Sequence, residues 1–119
     1  MKLLSIVATL LTTATAIAQT PANSSAIQNK VWHYSLNGYE VDMTFLSDTT
    51  LRWQDKTRGE TDPCKTHPLS DHTLLVGWYE SDKTFVSLYS DFATGEAYCH
   101  VFRPDGKIIP MKGTLVPKK

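Results

Sequence analysis

The chain has 119 residues, with 12 basic and 12 acidic side chains and a formal net charge of zero. This length suits one domain with one modest hydrophobic core. The balanced charge argues against a protein that binds nucleic acid or an anionic membrane surface, because both functions favour a basic patch. No apolar run reaches the ~20 residues of a membrane-spanning helix, so no membrane span is predicted.

The N-terminus has the three-part pattern of a cleavable signal peptide. Lys2 gives a positive start, residues 3–11 are almost wholly apolar, and residues 16–18 (Ala-Ile-Ala) form an A-x-A site. Cleavage is predicted between Ala18 and Gln19, which would make the protein periplasmic or secreted. The mature chain would then have 101 residues, with 11 basic and 12 acidic side chains after loss of the lysine. An uncleaved anchor or a core helix is the alternative.

After the signal peptide, the pattern predicts a chain of short antiparallel strands. Residues 19–30 are small and polar and predict a flexible lead-in. From residue 31 onward, short apolar and aromatic runs alternate with turn residues, and Asn37-Gly38 is the strongest hairpin signal. This predicts seven or eight strands with hairpin-sized links and no convincing helix. Seven of them are predicted at 31–36, 39–46, 51–55, 73–80, 84–91, 96–103 and 108–116.

Two stretches are less regular because they contain prolines. Residues 56–72, with two prolines, predict at most one short, irregular strand around Cys64, and the last strand is predicted to be interrupted near Pro110. Closing such a meander would remove its exposed sheet edges. The predicted fold is therefore all-β, a small antiparallel up-and-down β-barrel spanning residues 31–119. A twisted open sheet and a sandwich are the alternatives.

Cys64 and Cys99 are the only cysteines of the chain. In an oxidising compartment an even pair most simply forms a disulfide, which would stabilise the fold by about 3–4 kcal/mol. A reactive thiol or a metal ligand is the alternative, although the C-x-x-C spacing that would support either is absent. The four histidines show no paired metal-ligand spacing. We therefore predict no metal and no cofactor.

The segment 74–80 carries the candidate ligand site. Alternation directs Val76 and Trp78 inward, which places Glu80 on the inner face near a barrel mouth. A carboxylate there is costly unless it is paired, hydrogen-bonded or protonated, and small barrels often hold one small ligand. Alternatively, Glu80 begins a turn and faces water. The predicted ligand-binding residues are Trp32, Tyr34, Trp53, Trp78 and Glu80, and Glu80 is also the candidate catalytic residue.

Four short segments carry a family resemblance: residues 39–45 (YEVDMTF), 50–53 (TLRW), 76–81 (VGWYES) and 86–91 (VSLYSD). In these segments the chain resembles the MoaF-like domain, named after molybdenum cofactor biosynthesis protein F. The resemblance spans about residues 37–103 and implies a lipocalin-like barrel with a lumen. It does not by itself imply a role in molybdenum cofactor synthesis.

A second resemblance is confined to Trp78, Glu80 and residues 86–88 (VSL). This layout is similar to that of bacterial phenolic acid decarboxylases, also lipocalin-like barrels, and implies that Glu80 matches an active-site glutamate. That family also uses two tyrosines on the first strand, where this chain offers only Trp32 and Tyr34. It further needs an arginine, and neither Arg52 nor Arg58 lies in a recognisable copy of its motif.

These observations favour an exported, non-enzymatic protein that binds a small hydrophobic or aromatic molecule in the barrel lumen. One alternative is a lyase acting on a small aromatic acid, with Glu80 as acid/base beside Tyr34. Another is an envelope protein-interaction module or inhibitor, acting through loops such as residues 56–72 and having a filled interior. The residues identify neither the ligand nor the oligomeric state.

Overall fold

The computed structural model describes residues 26–119, so the predicted signal peptide, its cleavage site and most of the lead-in lie outside the described residues. The described residues form eight strands, and they contain no helix long and apolar enough to cross a membrane. The strands are β1 (Val31–Leu36), β2 (Tyr39–Ser47), β3 (Thr50–Gln54), β4 (Gly59–Pro68), β5 (Thr73–Tyr79), β6 (Phe85–Asp91), β7 (Glu96–Phe102) and β8 (Ile108–Pro117).

Each strand pairs antiparallel with its neighbours in sequence, and β1 also pairs with β8, which closes the barrel. In that last pairing, Trp32 lies opposite Pro117 and Leu36 lies opposite Gly113. A glycine is needed here because a Cβ at position 113 would lie 1.7 Å from the carbonyl oxygen of Ser35. Closure removes the free sheet edges that would otherwise invite pairing with other chains. The predicted up-and-down barrel is therefore confirmed.

The Asn37-Gly38 turn has the geometry that its sequence predicts. Both residues have positive φ, 50° and 83°, as a two-residue hairpin turn of the primed type requires. The turn also contacts β8. The backbone N–H of Asn37 donates to the carbonyl of Lys112 at 3.0 Å, and the N–H of Lys112 donates to Asn37 Oδ1 at 3.1 Å. The hairpin therefore helps to hold the strands that close the barrel.

β4 is longer and more regular than the sequence predicts. Its first half pairs with β3 as far as Pro63, and its second half pairs with β5 from Cys64 onward. Pro63 therefore lies at the point where one ladder ends and the other begins. The buried positions of β4 are Asp62 and Cys64. Because one of these two is charged, the strand lacks the apolar alternation that a sequence pattern would recognise.

β8 runs without interruption through Pro110, so the predicted break is wrong. Pro110 lies opposite His100 on β7, and its carbonyl accepts a hydrogen bond from Asn37 Nδ2 at 3.5 Å on the β1 side. The N–H and C=O of one residue in an antiparallel strand point to the same side. The N–H that proline lacks is therefore not one that the β7–β8 ladder would use.

A turn of residues 26–30 covers one end of the barrel, which we call the packed end. Ile27 is buried, and its carbonyl accepts a hydrogen bond from Trp32 Nε1 at 3.0 Å. The N–H of Asn29 donates to the carbonyl of Phe45 at 2.9 Å, and Trp32 packs edge-on against Phe92. The described part of the predicted flexible lead-in is thus docked on the barrel, because it buries an apolar side chain and satisfies a buried indole N–H.

Candidate ligand-binding cavity

A cavity of about 380 Å³ lies at the end of the barrel opposite the packed end. This open end is formed by the β1–β2, β3–β4, β5–β6 and β7–β8 connections. The inner part of the cavity wall is apolar, because the alternation of β2, β6 and β8 directs aliphatic and thioether side chains inward. These side chains are Val41, Met43, Val86, Leu88 and Met111. The volume falls within the range of about 300–1,000 Å³ that is usual for small-molecule sites.

Two tryptophans add aromatic surface to this wall. Trp53 on β3 and Trp78 on β5 are 2% and 5% exposed, and both line the cavity. Each points inward by the alternation of its strand, Trp53 together with Leu51 and Trp78 together with Val76. Glu80 follows β5 and continues the same inward phase. The structure therefore brings together three of the five residues predicted for the ligand site.

Glu80 is a largely buried carboxyl group at the cavity mouth, with a side chain only 13% exposed. Its Oε2 accepts a hydrogen bond from Trp78 Nε1 at 3.4 Å, and its Oε1 lies 3.4 Å from Arg58 Nη2. Burial raises the pKa of Glu80 to about 7, and the charges of Asp82 and Glu60 act in the same direction. The indole N–H and the guanidinium oppose this rise without cancelling it. Both the protonated and the ionised form of Glu80 are therefore accessible near neutral pH.

Arg58, in the β3–β4 connection, is the central cation of the mouth. Its guanidinium lies over the Trp53 ring, 4.9 Å from the ring centroid. It also lies 3.6 Å from Glu60, 3.4 Å from Glu80 and 3.7 Å from Asp82. Sequence reasoning did not place Arg58 at the site. The only available signal was its position between two strands, at the same end of a meander as the residue that follows β5.

The loop that carries Arg58 is held by Asp55. Asp55 Oδ1 accepts hydrogen bonds from the backbone N–H groups of Thr57 and Arg58, each at 2.9 Å. Its Oδ2 accepts a hydrogen bond from the Tyr39 hydroxyl at 2.7 Å. These bonds, that of Tyr39 above all, lower the pKa of Asp55 to about 2. A carboxylate that remains ionised therefore fixes the position of the arginine.

A second carboxylate orients the indole of Trp53. Trp53 Nε1 donates a hydrogen bond to Asp62 Oδ2 at 2.9 Å, and Asp62 is 8% exposed. Burial raises the pKa of Asp62. Next to it, Glu60 accepts hydrogen bonds from the backbone N–H of Ser81, at 3.0 Å, and from the Ser81 hydroxyl. The bonds from Trp53 to Asp62 and from Ser81 to Glu60 therefore connect three segments at the mouth: β3, β4 and the β5–β6 turn.

Trp32 and Tyr34, the other two predicted ligand residues, do not line the cavity. Both point inward, but they lie nearer the packed end than Leu36, the β1 residue that does line it. The Tyr34 hydroxyl hydrogen-bonds the Ser90 hydroxyl at 2.8 Å, and both residues are fully buried. Burial raises the pKa of Tyr34. Alternation identified these side chains as interior, but it could not indicate their depth along the barrel axis.

The predicted disulfide between Cys64 and Cys99 is wrong, because both thiols are free and buried. Their strands, β4 and β7, are separated by β5 and β6. Adjacent strands lie about 4.8 Å apart, so the two cysteines are three strand spacings apart around the wall, whereas a disulfide requires Cα atoms within about 7 Å. Burial raises the pKa of Cys64 to about 11 and that of Cys99 to about 12. Both thiols therefore remain neutral.

The described residues offer no evident metal site. Between residues 26 and 119, no group of three or more histidine, cysteine, aspartate and glutamate side chains is placed to hold a metal ion. On the outer face, the two ring nitrogens of His33 lie 2.6 Å from Glu40 and 2.7 Å from Asp42. The hydrogen bonds that His33 donates to these carboxylates, that to Asp42 above all, raise the pKa of His33. They favour the imidazolium form, which has no lone pair for a metal.

Comparisons with known proteins agree with this architecture. The structure is similar to a crystal structure described as that of "a putative beta-lactamase from Burkholderia vietnamiensis", with a TM-score of 0.71 and 17% sequence identity. The alignment covers 77% of this chain and 95% of that one, and at this identity the likeness shows the fold alone. No curated protein matches the chain. The profile of the MoaF-like family matches residues 28–116, which contain β1 to β7 completely and all of β8 except its last residue. The chain therefore belongs to the MoaF-like family.

Proposed function

We propose that the protein is exported and binds a small hydrophobic or aromatic molecule in the open-end cavity, without catalysing a reaction. The observation that carries this proposal is the cavity of about 380 Å³, with an apolar wall and with polar groups gathered at its mouth. Small-molecule sites commonly combine an apolar lining with a few placed polar groups. Export rests on the signal-peptide pattern at the N-terminus.

The cavity is difficult to explain as a packing requirement of the barrel. Protein interiors are close-packed, and unfilled apolar volume lowers stability. The packed end of the same barrel is filled by large side chains, among them Trp32, Tyr34 and Phe45. Leaving several hundred cubic ångströms unfilled at the other end lowers the stability of the barrel. A binding function would explain why the cavity is present despite this loss of stability. The envelope-interaction alternative, which needs a filled interior, receives no such support.

Catalysis by Glu80 is the second candidate function. A carboxyl group with a pKa of about 7 in a cavity is suited to general acid/base chemistry. However, Tyr34, the tyrosine that the decarboxylase resemblance would use, is hydrogen-bonded to Ser90 outside the cavity. The tyrosine that lines the cavity is Tyr39, and its hydroxyl already donates to Asp55. Binding without catalysis is therefore the better-supported proposal.

A matched pair of variants on β7 tests binding. Val101 lines the cavity, whereas its neighbour His100 points outward. We expect Val101→Phe to weaken the binding of small hydrophobic or aromatic molecules at least tenfold, because the larger side chain occupies the lumen, and His100→Phe to leave binding unchanged. The fluorescence of Trp53 and Trp78 reports occupancy directly. Equal affinity in both variants would contradict the proposal.

Export and catalysis have separate tests. Expression of the full chain in a bacterial host should yield a periplasmic protein whose N-terminal residue is Gln19, as read from its intact mass; recovery of a cytoplasmic protein that retains residues 1–18 would refute export. For the lyase alternative, Glu80→Gln should abolish turnover of any substrate that the protein converts. The non-catalytic proposal fails if a turnover is found that depends on Glu80.

A further inference from the structure

The charges at the cavity mouth are unequally matched. The charged side chains that line the cavity are Asp55, Arg58, Glu80, Asp82 and Arg103. One of the two arginines, Arg103, lies 3.7 Å from Asp105. The other, Arg58, lies within 4 Å of three carboxylates at once, those of Glu60, Glu80 and Asp82. In the described part of the mouth, Arg58 and Arg103 therefore each have at least one acidic partner.

Glu80 is the carboxyl group that this sharing leaves least compensated. It is the more buried of the two cavity-lining carboxyl groups that contact Arg58, at 13% exposure against 51% for Asp82. Its other polar contact is a single neutral donor, Trp78 Nε1 at 3.4 Å. A buried carboxylate normally requires a full counter-charge. The high pKa of Glu80 agrees with the lack of one. An anionic ligand would increase this imbalance, whereas a cationic ligand would correct it.

The aromatic wall adds a second basis for cation recognition. The Arg58 guanidinium already lies 4.9 Å from the centroid of the Trp53 ring, so the mouth holds one cation against an indole. A cation over a tryptophan face is stabilised by the ring quadrupole, most strongly where water is excluded. Trp78, whose N–H donates to Glu80, provides a second indole beside that carboxyl. An ammonium group beside Glu80 would contact the carboxylate directly, and it would gain aromatic stabilisation by lying over a ring face rather than at the N–H edge of Trp78.

We propose that the cavity selects a small amine in its protonated form, with the ammonium group against Glu80 and the hydrophobic or aromatic part against Val86 and Leu88. This inference rests on the proposed binding function and names the ligand class. It differs from the expectation of an aromatic carboxylic acid that the decarboxylase resemblance would give. The ammonium supplies the positive charge that Glu80 lacks, because Arg58 is shared among three carboxylates.

Binding of a cation is expected to displace the Glu80 proton, which gives the affinity a defined pH dependence. A carboxyl group with a pKa of about 7 is about one-tenth ionised at pH 6 and nine-tenths ionised at pH 8. Amine affinity should therefore rise about tenfold between these values. The groups that face Glu80 from the surrounding strands and loops are Tyr39, Arg58, Glu60, Trp78, Asp82 and Cys99. The pKa values of Asp82 and Glu60 are lowered and those of Tyr39 and Cys99 are raised, so none of these carboxyl, phenol or thiol groups is placed to titrate between pH 6 and 8.

Three probes of matched size test the proposal: 3-phenylpropylamine, 3-phenylpropionamide and 3-phenylpropionate. Affinity is measured at pH 8 and low salt by tryptophan fluorescence excited beyond the absorption of the phenyl ring. We expect the amine to bind at least tenfold more tightly than the amide, and the carboxylate at least tenfold more weakly than the amide. If the amide or the carboxylate binds as tightly as the amine, the selection of amines is refuted while ligand binding stands. If none of the three binds, both proposals fail.

Two variants separate the role of Glu80 from general electrostatics. Glu80→Gln should reduce the preference for amine over amide to less than threefold and should remove the rise in amine affinity between pH 6 and 8. Asp71→Asn removes a carboxylate that is 80% exposed, in the β4–β5 connection at the packed end, and should preserve both. A preference that survives in the Glu80 variant, or is lost in the Asp71 variant, overturns the proposal.

Discussion

The two ends of this barrel use the same strands for different purposes. At the packed end, Phe92 packs edge-on against Trp32 and Phe45, with ring centroids 4.9 and 6.1 Å apart, and the buried Tyr34 and Ser90 hydroxyls satisfy each other. At the open end, the strands leave about 380 Å³ unfilled and keep a carboxyl with a raised pKa. Close packing at one end contributes stability, so the other end can retain an unfilled cavity and a poorly compensated charge.

The largest effect that would sharpen this comparison is expected from truncation at the packed end. Phe45→Ala should lower the free energy of unfolding by about 3–5 kcal/mol, because a fully buried ring leaves a cavity among fixed neighbours. Val101→Ala at the open end should cost about 1 kcal/mol, since Val101 is only half-buried and already borders empty space. Urea unfolding followed by circular dichroism measures both. Equal losses would show that the two ends are packed alike.

The next largest effect concerns the dependence of stability on pH at the open end. The pKa of Glu80 in the folded chain, about 7, lies above its ordinary value of 4.5. Its contribution to stability is therefore complete below pH 4.5 and is lost as the pH rises to about 7. Glu80→Gln stays neutral, so we expect the variant to be more stable than the unaltered protein by up to about 3 kcal/mol at pH 8 and nearly equal to it at pH 4.

Asp82→Asn is the matched control for that experiment. Hydrogen bonds from Thr84 lower the pKa of Asp82, so its ionised form favours the folded state. Its contribution is present above the ordinary pKa and is lost as the pH falls through the lowered value. The asparagine variant should therefore be less stable than the unaltered protein at pH 8, opposite in sign to Glu80→Gln. The same sign for both variants would contradict the assignment of a raised pKa to Glu80.

A smaller effect distinguishes the two inner tyrosines. Tyr34→Phe should cost about 1–2 kcal/mol, because it leaves the Ser90 hydroxyl buried without its partner. Tyr39→Phe should cost about 0.5 kcal/mol, since the Asp55 carboxylate that it releases can be hydrated and keeps its backbone donors. Unfolding titrations of the two variants are directly comparable. A greater loss for Tyr39→Phe would assign a structural role to the mouth.

The smallest effect is expected from thiol labelling. Both cysteines should add an alkyl group in denaturant without reductant, because they are not bonded to each other. In the native state both should react slowly, since burial keeps the thiols neutral. Cys99 lines the cavity and Cys64 does not, so a ligand in the cavity should slow the labelling of Cys99 and leave that of Cys64 unchanged. Intact mass measures the labels. A protein that accepts no label in denaturant without reductant would have the disulfide after all.

Much of the fold could be predicted because strand periodicity is a local property. The inward phase of Val41, Met43 and Phe45 follows from alternation, and the hairpin at Asn37-Gly38 follows from the tolerance of these residues for positive φ. β4 and the continuity of β8 could not be predicted in this way. Whether a proline breaks a strand depends on which neighbour its missing N–H would have faced, and that is set by pairing with strands distant in sequence.

The candidate site could be predicted only in part. Trp53, Trp78 and Glu80 belong to the cavity and were found by alternation, whereas Trp32 and Tyr34 share the same inward phase and lie elsewhere. Alternation determines the face of a strand that a residue occupies. The depth of the residue along the barrel axis depends on the register between strands and on the stagger that closure imposes.

Most of the strands and their inner faces follow from the sequence, and a barrel that hides its edges is the fold it favours, because these features depend on the spacing of apolar residues and on turn chemistry. The three-strand separation of Cys64 and Cys99, the sharing of Arg58 among three carboxylates, and the position of the cavity at one end become visible in three dimensions. These features depend on distances between segments that lie far apart in the chain. Strand pairing and closure set such distances, and no local pattern encodes them.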